Sequence, residues 1–247
     1  FYYTLDSEYR SFYRKDTTAT LVKGQRADIY PKISRPMRIG KFFYFEPWAG
    51  VRQTLWHTPD FTDIHGHSDD FRTRETYDIG GELSSKLIRV FDLNNAFADK
   101  AKHELVPKLE YLYSPSVSQD DLPLFDDLDR LAEQNQITWS LTNHFIRRNT
   151  RTTPTGETSA VYDEFAYVKL YQSYDIRKER DNEPRPFSNF FIETELKPSA
   201  FLALNMDMAV SPHDSHFKEL NIRGTLSDNR GDSLTTRYRY TSDVRSE

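Results

Sequence analysis

The sequence predicts an all-β fold, namely an antiparallel up-and-down transmembrane β-barrel of which about eleven strands are present. Three observations lead to this prediction. Apolar and polar residues alternate with a period of two along most of the chain. The 17 Phe, 15 Tyr and 3 Trp are too numerous for a disordered chain, although only 37% of the residues are hydrophobic. The odd-numbered predicted connections are together about twice as long as the even-numbered ones, which is typical of barrels whose long loops lie at one end.

Each predicted strand has one apolar and one polar face. Within 102–113, for example, Leu105, Leu109 and Tyr111 alternate with charged residues. The same pattern predicts strands at 1–14, 25–35, 41–57, 75–91, 102–113, 136–147, 160–174, 187–198, 201–210, 216–227 and 233–242. The one helical candidate is a short segment at 127–134, inside a long acidic connection.

Composition excludes several classes of protein. No apolar run approaches the roughly 18 residues that a membrane-spanning helix requires. The net charge is -5 and the basic residues are dispersed, so nothing in the sequence indicates nucleic-acid binding. The absence of cysteine excludes disulfides and thiolate metal sites. A soluble β-sandwich is the alternative fold, but its strands are typically about 5–6 residues long, shorter than several predicted here.

One stretch carries a specific motif. A strand ends in P-x-L-x-Y-x-Y at 107–113, and the loop that follows contains Pro115, Gln119, Pro123, Phe125 and Asp126. The next strand opens with Asn-Gln-Ile-Thr at 135–138. This pattern resembles the C-terminal barrel of the LptD family of LPS-assembly proteins. Two flanking pieces, GQRADIYPKISRP at 24–36 and LYQSYDI at 170–176, are similar to the same family.

The resemblance implies a function in transport. Residues 1–247 would be part of a single outer-membrane β-barrel domain, in the translocon that inserts lipopolysaccharide into the outer leaflet of the bacterial cell outer membrane. The implied partners are lipopolysaccharide, the plug lipoprotein LptE inside the barrel, periplasmic bridge proteins bound through an N-terminal domain, and outer-membrane lipids. Because the chain starts without Met in strand-like sequence, we expect it to be a piece of a longer protein. Another outer-membrane barrel, such as a receptor or a porin, is the alternative.

The resemblance also assigns site residues. The family loop folds back over the lumen, so Pro115, Gln119, Pro123, Phe125 and Asp126 are expected in a cap. Its leucines need a surface to cover them, and we therefore expect 114–134 to be ordered. Its aspartates are expected to stay in water or to pair with arginines such as Arg147, Arg148 and Arg151. The residues expected to face the lumen are Glu104, Lys108, Glu110, Thr138 and Thr142.

The sequence predicts no enzyme, cofactor or metal site. Ser140 and His144 are four residues apart on one predicted strand, too far for the hydrogen bond of a nucleophile and its base. The acidic loop could bind a divalent cation, but it lacks the spacing of an EF-hand. A second possible cluster is interpreted as an unstructured surface loop, because nothing fixes its spacing; it comprises His57, His65, His67, Asp63, Asp69 and Asp70.

Overall fold

The structure is a computed structural model that describes residues 1–15, 21–59, 61–63, 65–152, 156–214 and 216–242. These residues form thirteen strands and one short helix, α1 (Ile176–Arg180). The strands are β1 (Tyr2–Lys15), β2 (Leu21–Ser34), β3 (Met37–Ile39), β4 (Phe43–His57), β5 (Phe71–Ser85), β6 (Leu87–Asp92), β7 (Lys100–Ser114), β8 (Gln134–Thr152), β9 (Thr158–Asp175), β10 (Phe190–Ser199), β11 (Leu202–Val210), β12 (Phe217–Ser227) and β13 (Ser233–Thr241).

The strands follow one another in an up-and-down sheet, which confirms the predicted fold class. The order is β1-β2-β4-β5-β7-β8-β9-β10-β11-β12-β13, with β3 paired to β4 and β6 paired to β7. The eleven strands of the main path correspond to the eleven predicted ones. The predicted strand 75–91 is divided into β5 and β6 at Lys86. In the described part of the chain, no helix is long and apolar enough to cross a membrane.

The predicted helix at 127–134 is wrong. Only Asp127–Asp129 form a single 3₁₀ turn, which Asp126 caps by accepting a hydrogen bond from the Leu128 backbone N–H. Arg130 then adopts extended backbone angles, and β8 begins at Gln134. One turn cannot bury an apolar stripe, so the surrounding contacts determine the conformation of this segment. The helix that does form, α1, was not predicted.

By its internal contacts the chain divides into two compact units. The first comprises Phe1–Ile39, Tyr44–Glu82 and Glu110–Gln136, and the second comprises Gly40–Phe43, Leu83–Leu109 and Ile137–Glu247. Each has its own arrangement of polar and apolar faces, given by the pairing register of its strands.

In the first unit the apolar face is exposed and part of the polar face is buried. Leu5 lies opposite Pro31 and Tyr9 opposite Ala27, on a face where Leu5 and Tyr9 are 65% and 69% exposed. Arg26 lies on the other face, paired with Trp56 of β4, and both are fully buried. Water-soluble sheets bury their apolar face, so this inverted arrangement is the one expected of a sheet that presents its apolar side to lipid.

In the second unit the same alternation runs through β10 to β13. Glu193 pairs with Asp207 and Asn221 pairs with Arg239 on one face, while Met206 pairs with Ile222 on the other. β10 and β11 are joined by only two residues, 200–201. Because alternate residues share a face, this register places the charged and the apolar side chains on opposite sides.

Candidate functional site

The candidate site is the acidic loop (residues 115–133), which lies against the polar face of the first unit. Loops of this length without regular structure are uncommon in compact domains unless they are functional or disordered. This loop is held by specific side chains of β1, β2, β4 and β5. Its centre is a set of four residues that we call the latch: Arg26, Trp56, Asp126 and Asp129.

Arg26 is the centre of the latch. It is only 1% exposed, and its guanidinium donates to Asp129 Oδ1 at 2.7 Å and to Asp126 Oδ2 at 2.9 Å. It also donates to Glu8 Oε1 of β1 at 2.7 Å. An arginine without a partner at this position would be a buried, uncompensated charge. The carboxylates of the loop therefore supply the charge that the polar face of the sheet requires.

Asp129 is completely buried and has four hydrogen-bond donors around its carboxylate. Arg26 and the indole N–H of Trp56 donate to Oδ1, the latter at 2.8 Å. The backbone N–H groups of Phe125 and Asp126 donate to Oδ2, at 2.6 Å and 3.0 Å. Asp129 thus fixes the turn of the loop and ties that turn to β2 and β4 at the same time.

Asp126 is the more accessible acid of the latch. Hydrogen bonding from Arg26 lowers the pKa of Asp126 below its usual range, against the opposing effect of burial, and the charges of Arg26 and Arg10 add to the lowering. Arg10 Nη1 donates to Asp126 Oδ2 at 2.9 Å. Asp126 therefore stays ionised at neutral pH and keeps its contacts with β1 and β2.

Arg74 of β5 binds the backbone of the same loop. Its guanidinium donates to the carbonyl oxygens of Leu128 at 2.8 Å and Asp129 at 3.1 Å, and to Gln119 Oε1 at 2.8 Å. Gln119 in turn bridges the loop to itself, since its side-chain amide donates to the Leu131 carbonyl and accepts from the Leu131 N–H, both at 2.8 Å. These bonds thus satisfy several backbone groups of the loop without a regular helix or strand.

An aromatic contact also holds the loop against the sheet. The ring of Phe125 stacks on Phe12 of β1, with centroids 4.3 Å apart and the planes 4° from parallel. Gly24 of β2 makes room for this ring, because a Cβ there would lie 2.6 Å from Phe125 Cζ and 2.7 Å from Thr58 Cγ2. Glycine is therefore required at 24 by the close approach of the loop.

The remaining predicted site residues lie in the loop and in β7 and β8. Pro123 is fully buried, and Pro115 is the first residue after β7. Glu104 accepts from Lys86 at 2.6 Å and from Lys102 at 3.1 Å, and the Thr138 hydroxyl shares a hydrogen bond of 2.7 Å with Ser173. Lys108 and Glu110 lie in β7, and Thr142 lies in β8.

Arg147, one of the arginines expected to bind the loop aspartates, has other partners in the structure. Arg147 donates to Asp163 at 2.9 Å and to the Pro198 carbonyl at 2.8 Å, and the loop binds Arg10 and Arg26 instead. Sequence reasoning did not single out Arg10, Arg26, Trp56 or Arg74. Arg10 and Arg26 occupy even positions of predicted strands, and that parity, which places them on the polar face, is the available signal. Arg74 precedes the predicted strand 75–91, and Trp56 lies in a strand with aromatic residues on both faces.

The histidine-rich connection after β4 is organised by one aspartate. Asp63 Oδ1 accepts from the backbone N–H groups of His65 and His67, both at 2.9 Å. Among the residues that the structure describes, no group of three or more acidic or histidine side chains is placed to hold a metal ion. The contacts of Asp63 close a turn.

Comparisons with known proteins identify the family. A family model described as LptD, LPS transport system D, matches residues 1–247. Three LPS-assembly proteins named LptD are similar to the chain. The protein of Alkalilimnicola ehrlichii is 28% identical over 58% of this chain and 21% of its own length. That of Methylococcus capsulatus is 24% identical over 89% of this chain and 24% of its own. That of Paraburkholderia xenovorans is 24% identical over 98% of this chain and 32% of its own.

The chain thus spans less than a third of the length of these relatives. The family match nevertheless covers every residue of the chain, including the loop and the strands that hold it. The chain belongs to the LptD family of LPS transport proteins.

Proposed function

We propose that residues 1–247 are part of a single outer-membrane β-barrel domain, in a translocon that inserts lipopolysaccharide into the outer leaflet of the bacterial outer membrane. The observation that carries the proposal is the acidic loop held by the latch across the polar face of a sheet whose apolar face is exposed. A transport barrel needs a polar interior that is closed to other solutes, and an ordered loop over the polar face can supply that closure.

The lumen in this proposal is lined by polar residues of the strands. Glu104, Lys108, Glu110, Thr138 and Thr142 lie on strands where polar and apolar residues alternate, which supports their assignment to the lumen. In this proposal the loop residues Pro115, Gln119, Pro123, Phe125 and Asp126 are part of a cap. The role of the chain is transport, with no covalent chemistry assigned to any of its residues.

The partners in this proposal follow from family membership. They are lipopolysaccharide itself, the plug lipoprotein LptE inside the barrel, outer-membrane lipids around it, and periplasmic bridge proteins that bind an N-terminal domain of the full-length protein. The exposed aromatic and aliphatic side chains of β1, such as Tyr3, Leu5 and Tyr9, support contact with lipid.

The test replaces the full-length protein in cells with variants of the loop. Deletion of 122–131 and the substitution Asp129→Asn should each admit large hydrophilic antibiotics, whereas Asp127→Asn should not, because Asp127 is exposed and outside the latch. Lipopolysaccharide at the cell surface is measured in parallel. Depletion of the full-length protein should abolish its appearance there. Normal surface lipopolysaccharide after depletion would reject the translocon function, and an intact barrier in both loop variants would reject the cap.

A further inference from the structure

The polar face of β12 and β13 carries three arginines. Arg223 lies directly opposite Arg237, and Arg239 lies directly opposite Asn221. Like charges opposite each other in an antiparallel pair destabilise a sheet, because their Cβ atoms are only about 5 Å apart. Arg223 and Arg237 also lie near the middle of their strands, away from the turn. A negative charge close to both guanidinium groups would therefore stabilise this part of the sheet.

Acidic residues do share this face, since Asp207 of β11 lies directly opposite Asn221 of β12. Arg239 Nε donates to the amide oxygen of Asn221 at 3.1 Å, which is a neutral partner. Among the described residues, no ion pair joins Arg223, Arg237 or Arg239 to a carboxylate. The nearby acids of β10 are already paired, since Glu193 lies 3.6 Å from Lys169 Nζ and Glu195 lies 3.3 Å from Lys197 Nζ.

The arginines line one side of a cleft in the second unit. The cleft has a volume of about 710 Å³, within the range of about 300–1,000 Å³ usual for small-ligand sites. Glu193, Glu195 and Asp207 line the other side, with Asn205 between the two charged sides. One side can therefore bind an anion, and the other offers carboxylate and amide acceptors to hydroxyl groups.

We propose that Arg223, Arg237 and Arg239 bind the phosphate group of a phosphorylated sugar, with the sugar hydroxyls facing Asn205 and the carboxylates of β10 and β11. The guanidinium group presents planar paired donors that match phosphate oxygens, and two guanidiniums on neighbouring strands can bind one phosphate. This inference rests on the proposed function, because it identifies the part of the transported glycolipid that the chain contacts.

The experiment measures binding to the purified full-length protein. The probe is the fluorescently labelled, delipidated core oligosaccharide of lipopolysaccharide, used with its phosphates and after phosphatase treatment. The variant R223Q/R237Q removes the two opposed arginines. The matched control R185Q/R230Q removes two exposed arginines from the connections 176–189 and 228–232. The variant R223K/R237K keeps both charges without the paired donors.

Wild type and control should bind the phosphorylated probe about tenfold more tightly than the dephosphorylated one, and R223Q/R237Q should lose this preference. R223K/R237K should retain an intermediate preference, which separates a binding defect from misfolding. Inorganic phosphate should compete only at a much higher concentration than unlabelled phosphorylated oligosaccharide. The site is refuted if R223Q/R237Q keeps the preference or if inorganic phosphate competes equally. Normal surface lipopolysaccharide after depletion of the full-length protein would instead reject the proposed function.

Discussion

Asp129→Asn should release the acidic loop from the sheet, although the two side chains have the same shape. Asp129 accepts from Arg26 and Trp56 through one oxygen and from two backbone N–H groups through the other. Asparagine keeps one acceptor oxygen and places an NH₂ group against the other two donors. Two hydrogen bonds to a charged group are lost and a buried ion pair is broken, at a cost of about 3–5 kcal/mol.

Amide hydrogen exchange in the full-length protein measures this loss directly. The N–H groups of Leu128 and Leu131 bond to Asp126 Oδ1 and Gln119 Oε1, within the loop. At about 1.4 kcal/mol per factor of ten, their exchange should become at least about 100-fold faster in Asp129→Asn. Asp127→Asn is the matched control, since Asp127 lies in the same turn but is exposed. Exchange in Asp129→Asn within about twofold of that control would show that the carboxylate does not hold the loop.

Three further perturbations test the same structure. Because Arg26 lowers the pKa of Asp126, the stability that this acid contributes is complete above its unfolded pKa of about 3.9 and is lost as pH falls through the lower folded pKa. Protection of the loop amides from exchange should therefore be constant from about pH 5 to 8 and decline only in acid. A decline with a midpoint near pH 6 would contradict the assignment to Asp126. Gly24→Ala should displace Phe125 and destabilise the loop by about 1–3 kcal/mol, measured by proteolysis of the loop. Gly224→Ala should be tolerated, because the added Cβ would lie 3.4 Å from its nearest neighbour. Lys100→Gln removes a surface ion pair with Asp92, whose side chain is 66% exposed, and should change the free energy of unfolding by less than about 1 kcal/mol. A larger loss would show that solvent does not screen this pair.

The strands could be predicted because their faces differ in chemistry. Alternation of apolar and polar residues over ten or more positions is compatible with few conformations other than a strand. The pairs Met206–Ile222 and Asn221–Arg239 show the apolar and the polar face that this pattern indicates. The interruption at Lys86 and the helix α1 were missed, because short irregularities change the local pattern at only one or two positions. The 127–134 helix was predicted from local sequence, whereas that segment is determined by side chains far away in the chain.

The partners of the loop could not be predicted from the sequence. The chain contains 33 Lys and Arg residues, and half-buried strands place many of them on the polar face. Which of them lies under the loop depends on register and on the path of the loop, neither of which is encoded locally. Arg147 was a reasonable partner by its nearness in sequence to the loop, but it binds Asp163. The local sequence does not distinguish the buried Asp129 from the exposed Asp127 two positions earlier.

The latch also has a consequence for the order in which the protein folds. Asp129 lies 103 residues from Arg26 and 73 from Trp56, and Asp126 lies 116 residues from Arg10. Contacts between residues so distant in sequence cost more loop-closure entropy than hairpins do. We therefore expect them to form after the hairpins β1–β2 and β4–β5. Arg26 and Trp56 are then uncovered while the sheet assembles. We therefore expect the nascent first unit to pass through a stage with an open, hydrated polar face, and we expect the closing of that face to be a late step of its folding.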